Sequence, residues 1–446
     1  MNRVFKTVVA SLLLNTVYLQ AQETYTLEKC IEFSLTHHAS IEVFQNNIQI
    51  AKEQKKQAVS SYLLQANSAL NFTDNLKLPT TVIPAGLFGP NELNVQLGQQ
   101  YNTNATIDIT QTIYDQSKLN NVKSGSTNVK IAQSQDKQNT ELLIYNTTRA
   151  YLQVLIYKEY ESKIMGNILA YSQLSKILEL QLGKGVALET DFERIRVSLK
   201  SAEYQLGEVI TQKRNALNNL KNTMGLPLDA ELTIIDSVNY EKYANFPDVA
   251  TLALDSLSDY SINKTNVELQ KINFQNKKAA FLPTVTASAR FGNQAYDATF
   301  SKSFDKWKGY SYIGLSVNLP IFSSLKRSSQ VKESKLAYTN ACTNLKLVQK
   351  NYQLRFQNAE QSLLTSHNSF LSNKDNLDLA KKIFDKTNLN YQKGVVSLTD
   401  FLNDDTAYKN AQFNYLNSLF SYMIARLDYE KAKGTLYSFY NQLKNN

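Results

Sequence analysis

Cysteine and histidine are scarce in this 446-residue sequence, with two and three residues respectively. Cys30 and Cys342 are too few for a disulfide framework and stand in helix-like sequence, which predicts two small buried side chains. The histidines lack a second pair of ligands at metal spacing, so no metal site is expected. Nucleophile, phosphate-loop and dinucleotide motifs are absent as well. The sequence therefore predicts neither an enzyme nor a bound cofactor.

Long apolar runs are also missing, since none approaches the roughly 20 residues of a transmembrane helix. The short run VVASLLL at residues 8–14 follows Arg3 and Lys6 and precedes Ala21. This pattern predicts a secretory signal peptide over residues 1–21, and no cysteine follows it to carry a lipid anchor. An exported chain of this kind can still enter a membrane, but only as a closed β-barrel.

The net charge of +9 is spread along the chain rather than gathered in one patch. Basic and acidic residues are interleaved in helical stretches, which is typical of solvated helix faces. No basic stripe with interleaved aromatic residues is present, so nucleic acid is not an expected partner.

Glycine and proline number only 14 and 7, and the gaps between them mark two very long helices. Neither residue occurs from Ile321 to Lys393, where apolar side chains recur at gaps of three, four and seven. The range Asp115–Leu182 is similar and is interrupted only by Gly125 and Gly166. A helix of this length spans roughly 100 Å at 1.5 Å per residue, so the sequence predicts an extended coiled structure rather than a compact core.

One phrase occurs twice, as KGVALETDF at residues 184–192 and as KGVVSLTDF at residues 393–401. At a constant offset of 209, the 42 positions from Lys184 to Gly225 match those from Lys393 to Gly434 ten times. The matching positions of the first copy are Lys184, Gly185, Val186, Thr190, Asp191, Phe192, Lys200, Ala202, Ala216 and Gly225. The period is too long for a solenoid and indicates two copies of one large unit. The predicted division is 22–225 and 263–434 for the repeats, 226–262 for a linker and 435–446 for a tail.

Each copy of the phrase follows a long helix and precedes a shorter helical pattern, so it is interpreted as the turn of a helical hairpin. Gly185 and Gly394 would provide the left-handed residue that ends the long helix, and the following Thr and Asp would start the next one. Ser397 and Asp400 are spaced as in a capping box.

Period-two alternation before each long helix predicts two strands of about ten residues per copy, the length of a tilted outer-membrane strand. Long loops, at residues 78–96 and 293–309, separate the strands of each pair, and aromatic residues crowd the strand ends. The strands are centred on residues 67–73, 106–110, 284–291 and 313–319. Four strands cannot close a barrel, so membrane insertion would require several chains.

In this order of features the chain resembles the TolC-type outer-membrane efflux protein family. The resemblance covers essentially the whole mature chain and is carried by YTLEKCIEFSL (25–35), LPIF (319–322) leading into a long helix, and the duplicated G-V-x-x-x-T-D-F tips. It implies a mainly α-helical protein with a membrane β-barrel part, in which a strand pair and a long helical hairpin are duplicated. It further implies a homotrimer whose twelve-stranded barrel lies in outer-membrane lipid and continues as an α-helical coiled-coil tunnel into the periplasm. The family passively conducts substrates delivered by an inner-membrane transporter through a periplasmic adaptor.

The resemblance also implies functional roles for the two hairpin tips. Gly185, Val186, Gly394 and Val395 would face the adaptor, although the glycines are first of all turn residues. The tunnel of the family closes at this end, where the coils that contain the tips fold inward.

Asp400 matches a family aspartate of the constriction ring, and a second ring position falls on Asn403, with Asp404 one place later. Asp191 and Tyr391 match side chains that tether neighbouring coils in the closed state, whereas the basic residue of that tether aligns with Val396. Acidic residues in a first helical turn also complement the helix dipole, and this simpler role is compatible with gating.

A structural coiled-coil protein of the periplasm or cell surface, without a pore, is the alternative interpretation. The predicted strands distinguish the two, because a structural rod has no use for four amphipathic strands flanked by aromatic residues.

Overall fold

The computed structural model describes residues 24–86, 89–234 and 252–444. The expected signal peptide and part of the expected linker lie outside these residues. The described helices are α1 (Leu27–His37), α2 (Ala39–Ser60), α3 (Gln116–Gly183), α4 (Glu189–Met224), α5 (Ser258–Ala279), α6 (Lys326–Gln392), α7 (Leu398–Lys433) and α8 (Leu436–Lys444). The described strands are β1 (Thr24–Tyr25), β2 (Gln65–Asp74), β3 (Thr80–Ile83), β4 (Leu93–Gln96), β5 (Tyr101–Tyr114), β6 (Thr233–Ile234), β7 (Thr284–Asp297) and β8 (Lys308–Asn318).

The two long helices are present and run for 68 residues in α3 and 67 residues in α6. The second begins at Lys326 rather than at Ile321. Ser324 and Leu325 adopt left-handed backbone angles, with φ of 46° and 66°, which a right-handed helix does not accommodate. Together these residues delay the start of the helix. None of the helices in the described ranges combines the length and apolarity that a membrane crossing requires.

The duplication is visible in the helical hairpins. Helices α4 and α7 each contain 36 residues, and each ends at a left-handed glycine, Gly225 with φ of 79° and Gly434 with φ of 81°. The long helices end at Gly183 and Gln392, and the helices that follow them begin at Glu189 and Leu398. Both boundaries therefore keep the offset of 209 residues that the sequence showed. The repeat boundaries at 22–225 and 263–434 stay a prediction.

Four antiparallel strands form the main sheet in the order β2-β5-β7-β8. Register sets its two faces, because directly opposite residues of an antiparallel pair point to the same side. One face is apolar and largely exposed, with Ile107 opposite Phe291 and Ala289 opposite Ile313. The other face is polar and contains an ion pair between Asp108 and Arg290, which are opposite each other in the register. The sheet is therefore amphipathic across its thickness.

The two predicted loops contain structure that the sequence pattern did not indicate. Strands β3 and β4 form a hairpin within residues 78–96. In the second loop, β7 extends to Asp297, and a 3-10 turn forms at Phe300–Phe304.

By its contacts the chain divides into two compact units. One unit comprises the described residues within 24–45, 135–260 and 348–444, and its main core joins side chains of α1, α3, α4, α6, α7 and α8. The other comprises residues 46–134 and 261–347 and contains the sheet. Both cysteines are free thiols. The prediction of a buried side chain is right for Cys30, whereas Cys342 is only half-buried.

Candidate functional site

The two hairpin tips end their long helices with the same backbone motif. Gly185 and Gly394 have φ of 70° and 73°, as expected for glycines that end a helix. In the first tip, the N–H of Val186 donates to the Gln181 carbonyl at 2.9 Å and the N–H of Gly185 donates to the Leu182 carbonyl at 2.9 Å. These two bonds define a Schellman motif, which satisfies carbonyls that the helix leaves unpaired.

The second tip repeats these bonds: the Val395 N–H donates to the Asn390 carbonyl and the Gly394 N–H to the Tyr391 carbonyl, both at 2.9 Å. The valine after each glycine points into solvent, with exposed fractions of 76% for Val186 and 69% for Val395. Each tip thus presents an exposed valine at the same position of its turn, and the first tip also exposes Leu188, at 68%.

Asp400 lies in the first turn of α7 and takes part in capping. The Asp400 N–H donates to Ser397 Oγ at 3.1 Å, and the Ser397 hydroxyl donates to Asp400 Oδ2 at 2.7 Å. The predicted pairing of Ser397 with Asp400 is confirmed. The Asp400 residue nevertheless remains exposed, so capping leaves its charge accessible to solvent.

The start of α4 differs from the prediction, because its N-cap is Leu188 and no side chain caps the helix. Asp191 instead forms an ion pair with Arg194, with 3.5 Å between Asp191 Oδ1 and Arg194 Nη1. The same Nη1 donates to Thr399 Oγ1 of the second tip at 3.0 Å. Arg194 therefore connects the two tips of one chain, a role that the sequence did not reveal.

Tyr391 is half-buried in the tip. Its ring stacks on Phe401, with 5.1 Å between the ring centroids. Burial, and secondarily the negative charge of Asp191, raise the pKa of the Tyr391 hydroxyl. The two side chains are thus close enough to interact electrostatically, but no hydrogen bond joins them within the described ranges.

Asp404 and Asp405, although adjacent, have different surroundings. The Thr387 hydroxyl of α6 donates to Asp404 Oδ2 at 2.6 Å, so this carboxylate connects the two helices of the second hairpin. Asp405 is only 4% exposed and accepts hydrogen bonds from the Tyr171 hydroxyl at 2.5 Å and from Lys409 Nζ at 2.7 Å.

Asp405, Lys409 and Tyr171 form a buried polar cluster between α3 and α7. The Lys409 ammonium nitrogen lies 3.6 Å from the centroid of the Tyr171 ring, a cation–π contact. Burial lowers the pKa of Lys409, and Asp405 opposes that shift. Burial also raises the pKa of Tyr171. In the sequence Asp405 and Lys409 look like an ordinary surface i,i+4 pair, which is why this cluster was missed.

An apolar cluster surrounds these groups and joins all four helices of the two hairpins. Its buried members are Tyr171, Leu178, Ile195, Ala202, Leu398 and Phe401. The tips of one chain therefore form a single packed unit, held by apolar contacts, by Arg194 and by the buried cluster.

Comparison with known proteins shows what the chain resembles in sequence and in fold. The family model described as "Outer membrane efflux protein" matches residues 264–435. Outer membrane protein TolC of Escherichia coli (strain K12) is 23% identical over 359 residues, which cover 75% of this chain and 70% of TolC. Outer membrane efflux protein BepC of Brucella suis biovar 1 (strain 1330) is 24% identical over 404 residues, covering 89% and 83%.

The crystal structure of the outer membrane protein VceC from Vibrio cholerae has the same fold. Its TM-score is 0.73 at 15% identity, and the alignment covers 92% of this chain and 96% of VceC. The region that the family model matches, residues 264–435, includes strands β7 and β8, helix α6 and the second hairpin tip. These sequence matches and this fold agree with each other, and they favour neither an enzyme nor a poreless rod. In sequence and in fold the chain is thus similar to TolC-type outer-membrane efflux proteins, which are channels of the outer membrane.

Proposed function

We propose that this channel works as a homotrimer, the passive exit duct for substrates that an inner-membrane transporter delivers through a periplasmic adaptor. The observation that carries this proposal is the amphipathic four-stranded sheet. Its edge strands β2 and β8 each have one side without a strand partner in the part of the chain that the structure describes. Unpaired backbone groups cannot face lipid, so these edges require further copies of the chain.

Three copies would place twelve strands in one closed ring, with the apolar face towards lipid and the polar face inside. Two copies would supply only eight strands. Long helices that line a passage for solutes favour the larger ring, as does the family resemblance. Ile313 at 86% exposure and Leu315 at 69% lie on the apolar face of an isolated chain, which suits contact with lipid.

The hairpin tips are proposed as the surface that docks the adaptor. Gly185 and Gly394 hold the turns, and Val186 and Val395 provide two exposed apolar contacts at matching positions. A partner with small apolar grooves would bury both valines.

The same end of the chain is proposed to act as the gate. In a trimer, three copies of Asp400 would surround one axis and favour cations, as acidic rings do in other pores. Asp191, Tyr391 and Arg194 would hold the closed arrangement of the coils. Asp404 is proposed to support the gate indirectly, since its carboxylate is bound by Thr387.

Docking is tested by replacing Val186 and Val395 with Asp and measuring export together with the mass of the purified assembly in detergent. We expect export to be lost while the trimer mass is retained, because the valine side chains make no buried contact within the tip. Val197→Asp is the matched control, since Val197 is exposed to a similar degree on α4, outside the tip. Loss of the trimer in the tip variants would contradict the docking role, and a stable wild-type monomer would contradict the proposed duct.

A further inference from the structure

The four helices that connect to the main sheet carry more positive charge than the chain as a whole. Their parts nearest the sheet are residues 46–60 of α2, 116–134 of α3, 261–279 of α5 and 326–347 of α6. These segments contain 15 basic and 3 acidic residues, a net charge of +12, whereas the complete sequence has +9. The segments are far apart in the sequence, where the charge looked evenly spread, but the fold collects all four in one compact unit.

The four segments pack side by side in a single layer. A Cβ atom on Gly125 of α3 would lie 3.0 Å from a backbone atom of α2. The Asn276 amide of α5 donates to Asn121 Oδ1 of α3 at 2.7 Å. The Phe274 ring of α5 stacks on Tyr338 of α6, with 6.5 Å between the ring centroids. The helix order α2-α3-α5-α6 is therefore the order of the strands that these helices adjoin.

Lysines form a stripe along each helix of the layer. Lys264, Lys271 and Lys278 of α5 recur every seven residues, about 10 Å apart along the helix axis. Lys123 and Lys130 of α3 have the same spacing. We call the ten exposed lysines of the four stripes the basic face: Lys52, Lys56, Lys123, Lys130, Lys264, Lys271, Lys278, Lys332, Lys335 and Lys346.

All four stripes face the same side of the layer. The contacts with neighbouring helices fix how each helix is rotated, and successive residues turn by about 100°. Lys123 lies roughly 160° around α3 from Asn121, and Lys271 lies roughly 140° around α5 from Asn276. The asparagine pair therefore belongs to one side of the layer and the lysines to the other. The stripes of α2 and α6 fall on the lysine side by the same construction.

Acidic residues do not cancel the charge of the basic face. Glu53 forms an ion pair with Lys56 at 2.7 Å, and Glu268 is placed between two lysines of α5. Ten lysines against all three glutamates of the four segments still leave a net charge of +7 per chain. The face therefore requires a partner that carries many negative charges.

The height of the basic face shows that lipid headgroups cannot be its main partner. Helix α6 begins at Lys326, and Lys346 lies 20 residues further, roughly 30 Å from the end near the sheet. A headgroup layer is only about 5–8 Å thick on each side of a bilayer. Most of the lysines are therefore out of reach of a membrane that surrounds the sheet.

The composition of the basic face also disfavours a folded protein partner. Protein interfaces are depleted of lysine and are organised around apolar and aromatic anchors. This face instead presents lysines about 10 Å apart along each helix, on helices whose axes are about 8–10 Å apart. Such a grid of separate charges suits a flexible chain that carries anionic groups along its length.

We propose that the basic face binds an acidic polysaccharide, an extended polymer with repeated carboxylates. Each ammonium group would pair with one carboxylate, and one polymer strand would cross several helices of the layer. This inference goes beyond the proposed duct, because neither conduction nor docking at the tips requires a partner here. It holds for one chain and does not depend on the number of chains in the assembly.

The test measures binding of fluorescently labelled polygalacturonate to the full-length protein in a non-ionic detergent, followed by fluorescence anisotropy. Labelled dextran, a neutral polysaccharide, is the control ligand. We expect polygalacturonate to bind at 0.1 M salt and to dissociate at 1 M salt, because the Debye length falls from about 10 Å to about 3 Å. Dextran should not bind under either condition.

The variant Lys123→Gln/Lys130→Gln/Lys271→Gln/Lys332→Gln should raise the apparent Kd for polygalacturonate roughly tenfold, since exposed ion pairs are individually weak but four are removed. The control Lys163→Gln/Lys176→Gln/Lys382→Gln/Lys386→Gln removes the same charge from exposed positions of the other compact unit and should leave the Kd nearly unchanged. The mass and helix content of each variant are measured as well, so that misassembly is recognised.

Four results would overturn the proposal. Equal weakening in both variants would mean a general attraction to the charged protein, and equal binding of dextran would mean that carboxylates are not recognised. If the first variant lost binding to phosphatidylglycerol vesicles but kept its affinity for polygalacturonate, the lysines would serve headgroups instead. Altered ion selectivity in bilayer recordings with unchanged polymer binding would place the face inside the channel. Failure of the proposed trimer would appear separately, as a changed mass of the wild-type assembly.

Discussion

Replacing Lys409 with Met should strongly destabilise the hairpin tips. The Lys409 ammonium group lies 2.7 Å from Asp405 Oδ2, and the two side chains are only 15% and 6% exposed. Without the cation, the Tyr171 hydroxyl is the one hydrogen-bond donor left to the buried carboxylate among the described residues. Breaking a buried ion pair in this way costs about 3–5 kcal/mol, and loss of the cation–π contact with Tyr171 adds about 1–2 kcal/mol. Met retains most of the lysine volume, so a cavity contributes little.

The double variant Asp405→Asn/Lys409→Met separates charge from packing. It removes both charges, while the Asn amide oxygen can still accept the Tyr171 hydrogen bond. We therefore expect most of the lost stability to return, because replacing both partners of a buried pair is often nearly neutral.

The repeat supplies a matched control in Lys200, which lies 209 residues before Lys409. Lys200 pairs with Glu203 on the surface, and its side chain is 78% exposed. Lys200→Met should change stability by no more than about 0.5 kcal/mol. The assay is the apparent melting temperature of the purified channel, followed by its resting conductance in planar bilayers. Equal melting temperatures for Lys409→Met and Lys200→Met would refute the role of the buried cluster.

Two further predictions concern the gate and the response to alkaline pH. Asp400→Asn should barely change the melting temperature, since the Asn side-chain oxygen can still accept the hydrogen bond from the Ser397 hydroxyl. The variant should nevertheless lower the cation preference of the channel in planar-bilayer recordings at low salt, where screening is weakest. Unchanged ion selectivity would leave the carboxylate a role in capping alone. Burial raises the pKa of Tyr160 to about 12, above the value of about 10 in an unfolded chain. The folded chain then binds more protons between these values, so the stability from Tyr160 is full below pH 10 and is lost as pH rises towards 12. Tyr160→Phe should flatten the fall of melting temperature between pH 10 and 12, and an unchanged slope would argue against this cause.

The long helices, the duplication and the strand positions could be read from the sequence, because each depends on local periodicity. Gaps of three and four along 321–393 require a helix, whatever it packs against. The tip glycines Gly185 and Gly394 were predictable for the same reason, since a left-handed residue strongly favours glycine wherever it occurs. The start of α6 at Lys326 was missed because left-handed Ser324 and Leu325 carry no such signal.

Contacts between distant segments depended on the tertiary structure. In the sequence, Asp405 and Lys409 have the i,i+4 spacing that is common for ion pairs on helix surfaces. In the structure they are buried beneath Tyr171 of α3, which lies 234 positions from Asp405 in the sequence. The link from Arg194 to Thr399 likewise exists only because the two hairpins pack side by side. Local sequence determines which elements form and which of their faces are apolar. Which polar side chains become buried together is decided by tertiary packing, because burial depends on the neighbours that the fold brings from elsewhere in the chain.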